Sequence, residues 1–285
     1  MVDHAGINSP CAENADALCK AEATARRLYQ VDFPWDINKS LEFALLRTYA
    51  VPSISALLDY TNETVGRPRK RYDDTVLIIS EILNNGLDSP RAKRAYARLN
   101  DMHGRYAIRN DDFLYVLSTF IFSPIDWVAK YGRRPLTNEE TQDWFVFWRA
   151  FGERMGIADI FPTLERFRDF SKDFERTRYA RSKANAKIAK ASMNVVLSGS
   201  HVPAFLRPAG HRLVMAFCEP HLVDALGFPP PSHMLRGFVA LLMEFRRRIL
   251  RLTPPNKSAK PPMKGSKTYP EGYEIEELGT FKPPR

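Results

Sequence analysis

A chain of 285 residues, 44% hydrophobic and 26% charged, is long enough for a substantial core and is neither disordered nor fibrous in composition. The formal net charge of +9 raises nucleic acid or an anionic membrane as partners, yet ten Lys/Arg against four Glu lie from Phe245 onward. No zinc-finger spacing, aromatic RNA-binding motif or basic zipper accompanies that charge, so no nucleic acid is expected as a partner. A solvated basic tail remains, with peripheral docking onto an acidic membrane as its second use.

Cys11, Cys19 and Cys218 are too few and too scattered for a disulfide framework or a zinc site. The opening MVDHAGINSPCAENADALCK has no apolar segment of the kind that marks a signal peptide. No uninterrupted run of about twenty apolar residues exists, and a cytoplasmic protein is the expectation. The longest apolar stretch, FLYVLSTFIFSPIDWVAKY, is broken by Pro124 and Asp126 and reads as a buried core helix.

Strand signals are nearly absent, whereas helical periodicity recurs along the chain. Residues 39–49 place Leu41, Ala44, Leu45 and Thr48 on one face, and Pro52 opens a short helix at PSISALLDY. A helix from Asp74 to Asn85 stops at Gly86. Ser89-Pro90 starts the next, which carries Ala92, Ala95, Tyr96, Leu99, Met102 and His103 at helical spacing and ends near Gly104. Asn110 and Asp111 are candidate caps for the long apolar helix. Thr137 and Glu140 form a capping box. A helix bearing Leu164, Phe167, Phe170 and Phe174 is expected to run on through RSKANAKIAKASMNVVLSG. Two or three helices divided by prolines follow, and after Leu252 a Pro/Lys-rich stretch reads as an extended tail with few core contacts, with packing over the site through Tyr269 and Tyr273 as the alternative. The predicted fold class is all-α: an N-terminal extension (1–30), one large helical domain (31–252) and the basic tail (253–285).

Three side chains stand out. Arg71 and Thr75, four apart, sit one above the other on a helix whose Ile78, Ile79 and Ile82 face inward. An inward arginine needs an anion, and pairing with Asp73, Asp74, Asp101 or Asp112 is the bland explanation. His103 ends an apolar stripe with no second ligand three or four residues away, which rules out a His-x-x-x-His zinc site. Haem iron, by contrast, needs only one protein imidazole, so His103 is compatible with haem or with a hydrogen-bonded core role. His201, His211, His221 and His233 lack ligand spacing. Asp36, Glu42 and Asp59 suit simple ion pairs. No phosphate loop or nucleophile elbow is present.

The ordered segments FPWDINKSLEFALLRTYAVPSISALL, RYDDT, LNDMHGRYAIRNDDFLYVLSTFIFSPIDWVAKYGRRPLTNEE and FWRAFGERMGI resemble the MpaB-type oxygenases. That superfamily includes the rubber oxygenase known as latex clearing protein. The resemblance runs from about Phe33 to Phe228, and Arg71–Tyr131 is its most specific part. It implies a helical fold enclosing a haem b pocket, with His103 as axial iron ligand and Arg71 and Thr75 as the family's polar pair. Asp74 stands where the rubber oxygenases have lysine, so a distal site open or filled by water is implied, with Asp73 or Asp74 as polar partner. No secure match to the rubber oxygenase's catalytic glutamate is found; Glu63 is only nearby. The implied activity uses O2 to cleave a carbon–carbon double bond in an apolar, isoprenoid-like (prenyl or polyprenyl) substrate. His103, Arg71 and Thr75 are then the cofactor-binding set, and Arg71, Thr75 and Asp74 the catalytic one. Aromatic residues of the Phe113–Phe122 helix are candidates for a substrate channel. A non-catalytic haem or lipid carrier and a plain helical scaffold are the rival readings, and oligomeric state stays open.

Overall fold

The computed structural model describes residues 10–199, 203–254, 258 and 266–279, with side chains from Ala15. Thirteen α-helices and no strand occur among the described residues, an all-α fold. The helices are α1 (Pro10–Arg27), α2 (Pro34–Thr48), α3 (Pro52–Thr61), α4 (Glu63–Gly66), α5 (Pro68–Asn85), α6 (Pro90–Gly104) and α7 (Asn110–Tyr131). They continue with α8 (Asn138–Arg154), α9 (Leu164–Arg178), α10 (Lys183–Gly199), α11 (Arg207–Phe217), α12 (Pro220–Ala225) and α13 (His233–Leu252).

Helix α7 forms the axis. It runs unbroken through Pro124 and buries Leu114, Tyr115, Leu117, Ile121, Phe122 and Trp127 against α2, α8 and α9. It is long and apolar enough to cross a membrane, but 67% of its most apolar window is buried inside the protein, in keeping with a core helix. Trp144 and Trp148 of α8 are fully buried, and Trp148 packs on Phe120 and Phe151. Large aromatic faces of this kind supply much of the core's burial. Gly152 lets α8 approach closely: a Cβ there would come within 2.5 Å of the Leu117 side chain.

Several local expectations hold. Ser89 caps α6 by accepting from the Ala92 amide at 3.1 Å, and Thr137 and Glu140 make a reciprocal capping box on α8. Gly86 ends α5 at φ +88°, a region that favours glycine. Asp36 pairs with Arg246, Glu42 with Lys39, and Asp59 with Lys187.

Others are corrected. Asn110 does not cap α7 through its side chain; its amide instead clasps Ala158, accepting from the backbone N–H at 3.0 Å and donating to the carbonyl at 2.9 Å. The predicted run from α9 into α10 is interrupted at residues 179–182. Tyr179 turns extended there so that its hydroxyl meets Tyr115, and Ser182 accepts from the Asn185 amide. Asn185, fully buried, then donates to the carbonyls of Ala50, Ala180 and Ala225, and so braces three elements with one side chain.

The N-terminal stretch belongs to the helical body: α1 lies along α8 with Ala21 and Ala25 at 0% exposure, as is Leu28 just beyond its end. The tail also departs from expectation. Within residues 266–279, Ile275 and Leu278 enter the main core, because a short apolar pair on a 3₁₀ turn fits against α6. Cys218 is buried, and desolvation pushes its thiol up to about 12, so it behaves as an apolar filler.

Candidate functional site

Helices α5 and α6 bring Arg71, with Thr75 bonded to it, within electrostatic reach of His103. Pro68 starts α5, which sets Arg71 at the end of its first turn and Thr75 one turn beyond. The Arg71 guanidinium donates to Thr75 Oγ1, which in turn donates to the Arg71 carbonyl at 2.9 Å. The two side chains therefore form one rigid polar unit. Asp73, Asp74, Asp101 and Asp112 all pair elsewhere: with Arg69, with Lys70, with Arg98 and Arg105, and with Arg109. No ion pair to Arg71 occurs among the described residues, so its positive charge is uncompensated by a carboxylate.

His103 lies in the last turn of α6, its ring edge-on to Phe113 of α7 at a centroid distance of 5.3 Å. The residue as a whole keeps some exposure, but Nδ1 is fully buried and lacks a hydrogen-bond partner in the protein. Desolvation, reinforced by the Arg71 charge, pulls the imidazole pKa down to about 4. At neutral pH His103 is thus uncharged, with no protein group bonded to its buried Nδ1. A satisfied core histidine would have a partner on each buried nitrogen; this one does not.

Asp74 is not part of that grouping. Its carboxylate accepts from Lys70 Nζ at 2.8 Å and from Tyr269 Oη at 2.7 Å. These contacts make Asp74 a clamp on the tail. Asp73 acts likewise, accepting from Ser266 Oγ, the Thr268 amide and Thr268 Oγ1 at 2.6–3.0 Å. Burial raises the Asp73 carboxyl, and the bonds from Thr268, Ser266 and Arg69 more than reverse it, leaving it below its ordinary value. Two turns further along α5, Glu81 binds Arg91 and Tyr273. Glu63 is held by Arg67 through both oxygens.

Two features escaped sequence reasoning. Tyr49, nearly buried at the end of α2, lies within electrostatic reach of Arg71, and burial raises its phenol. A cavity of about 260 Å³ opens between α2, α7, α9 and α11, lined by Phe43, Trp127, Phe217, Arg47 and Glu175 among others. Neither His103 nor Arg71, Thr75 or Asp74 lines it. Of the Phe113–Phe122 aromatics, Phe122 borders this cavity, Phe113 touches His103, and Phe120 is core.

Residues 43–248 match the family described as ER-bound oxygenase mpaB/B'/Rubber oxygenase, catalytic domain. That span covers most of the chain and includes α5, α6 and α7. The chain belongs to this family. Among mpaB-type relatives, ER-bound oxygenase mpaB' of Penicillium brevicompactum is 29% identical over 254 residues, 82% of this chain and 59% of that protein. ER-bound oxygenase mpaB of Penicillium roqueforti (strain FM164) is 30% identical over 216 residues, 69% of this chain and 72% of that protein. ER-bound oxygenase mpaB of Penicillium brevicompactum is 34% identical over 146 residues. The chain thus spans about three fifths of mpaB'. The mpaB/rubber-oxygenase assignment and the all-α fold agree with the sequence reading, and the match reaches into α13, further than the resemblance does.

Proposed function

We propose that this protein is a haem b-dependent oxygenase that uses O2 to cleave a carbon–carbon double bond in an apolar, isoprenoid-like substrate. The observation that carries the reading is His103: a neutral imidazole with an unpartnered buried nitrogen, beside an arginine that no carboxylate neutralises. Among the described residues, no three His, Cys, Asp or Glu converge into a cage for a bare metal ion. A lone imidazole suits an iron whose other ligands come with a porphyrin. The uncompensated Arg71 suits an anionic group such as a porphyrin carboxylate.

Haem supplies the oxygen chemistry when bound; the chain supplies placement and environment. His103 would hold the iron. Arg71, fixed by Thr75, would offer an oriented positive charge and donor to the bound group. Thr75 keeps that guanidinium from swinging away, and Phe113 holds the imidazole plane. Asp74, engaged by the tail, serves to position α5. The oxygenase names of the relatives support the reaction class.

An absorption spectrum of the purified protein, with and without reductant and carbon monoxide, is the direct test. A Soret band that shifts with both agents, and O2 uptake with a prenylated compound, are expected. In His103→Ala, haem content should fall about tenfold while the far-ultraviolet helix signal is retained. A colourless protein, or full haem loading in His103→Ala, would remove the assignment.

A further inference from the structure

Helix α13 carries its apolar stripe on the wrong side for a globular protein. Met234, Phe238, Leu241, Phe245, Ile249 and Leu252 recur at spacings of three and four, and they are 44–87% exposed. At 1.5 Å per residue the stripe is about 27 Å long. The opposite side of the helix is anchored. Val239 and Met243 are buried, and Arg246 makes paired hydrogen bonds of 3.0 Å to the buried Asp36 while stacking over Trp35 at 3.9 Å. Rotation of α13 to hide the stripe would break that ion pair and strand a buried carboxylate, so the outward orientation is built in. Helix α11, packed against α13, adds exposed Leu213, and the turn before it exposes Phe205 and Leu206.

Charge decides what covers this face. Helix α13 holds five arginines and one glutamate; Arg248 borders the stripe and pairs with that glutamate, Glu244, while Arg251 meets Arg133, whose guanidinium reaches the Thr253 carbonyl at 2.7 Å. A second copy docked face to face would oppose these cations to their like. An anionic bilayer accepts both features at once: phenylalanine and leucine side chains enter the acyl boundary while arginines reach headgroup phosphates.

We infer that α13, with the apolar residues of α11 beside it, is a membrane-docking surface that lies flat on an anionic lipid leaflet. The inference stands apart from the oxygenase reading, since it needs neither haem nor turnover. Flotation of the full chain with vesicles is the test, using pure phosphatidylcholine and equal parts phosphatidylcholine and phosphatidylserine. Binding to the anionic vesicles, weaker at high salt and weak on phosphatidylcholine alone, is expected. Phe238→Glu combined with Leu241→Glu should weaken binding about tenfold or more with unchanged helix content, and Arg248→Glu should do so to a lesser degree. Because these residues are exposed, the fold tolerates the changes, and light scattering on the same samples reads the oligomeric state. Absence of vesicle binding, or a soluble dimer that Phe238→Glu with Leu241→Glu dissociates, would overturn the proposal in favour of an interface between copies.

Discussion

Arg71 and Thr75 are best separated from ordinary core polar groups by comparing two losses. Thr75→Val keeps the branched shape and deletes the Oγ1 that both receives the Arg71 guanidinium and donates to its carbonyl. One partly exposed hydrogen-bond pair is worth only about 1 kcal/mol of stability. If the pair orients charge in the reacting region, turnover per haem should fall about tenfold or more while the melting temperature moves by a few degrees. Arg71→Met should act in the same direction and more strongly. Turnover per haem unchanged beside a clear melting loss would return both residues to a structural role. Arg71, Thr75 and His103 were legible because each sits on a helix whose apolar spacing fixes its facing. What spacing could not reveal is that every carboxylate near Arg71 is claimed by another base. The bond that Asp74 accepts from Tyr269 was out of sight for the same reason, since the two lie 195 residues apart.

At the scale of elements, residues 266–279 form a strap across α5 and α6. Tyr269 and Tyr273 bond Asp74 and Glu81, the Arg94 guanidinium binds Glu274 and Glu276, and Arg98 reaches the Leu278 carbonyl at 2.7 Å. Ending the chain after Leu252 would expose the ground beneath Ile275 and Leu278, roughly 1.5–3 kcal/mol for each side chain. It would also leave Asp73 and Asp74 short of partners. A melting temperature lower by about 10 °C is the expected result in thermal unfolding. Tyr269→Phe, which removes only the hydroxyl on Asp74, should cost about 1–3 kcal/mol. In the sequence only the pair Tyr269 and Tyr273 hints at this strap, and composition masks the rest. Proline and lysine dominate after Leu252, and a core contribution of two apolar residues is too short to register as periodicity. The α9–α10 break was hidden likewise, since Tyr179 leaves the helix to satisfy a tertiary contact.

For the whole molecule, the strap makes stability depend on acidity in a definite direction. Asp73 and Glu81 both have folded pKa values below their ordinary ones; burial opposes this, and hydrogen bonds from the strap and from neighbouring arginines prevail. The unfolded chain therefore takes up protons first as pH falls. The stabilisation is complete at neutral pH and above about pH 4–5, and it drains away as acid approaches the lower folded values. Denaturant titrations at neutral pH and near pH 3 should show this loss in the full chain and a smaller one in the chain ended after Leu252. The helical architecture as such was readable from periodicity and caps, because helices declare themselves locally. Which helices touch was not, since α1 on α8 and α13 through Arg246 to Asp36 are distant pairings.

The strap also imposes an order on biogenesis. A ribosome releases α5 long before it releases Tyr269, so Asp73 and Asp74 emerge as carboxylates destined for burial without their final hydroxyl donors. Until the late segment arrives, that corner of the fold is a charged surface held by Arg69 and Lys70 alone. Nascent chains stalled short of residue 266 would then lack the hydroxyl donors that Ser266, Thr268 and Tyr269 bring to α5, and the bonding of Asp73 and Asp74 is completed only late in synthesis.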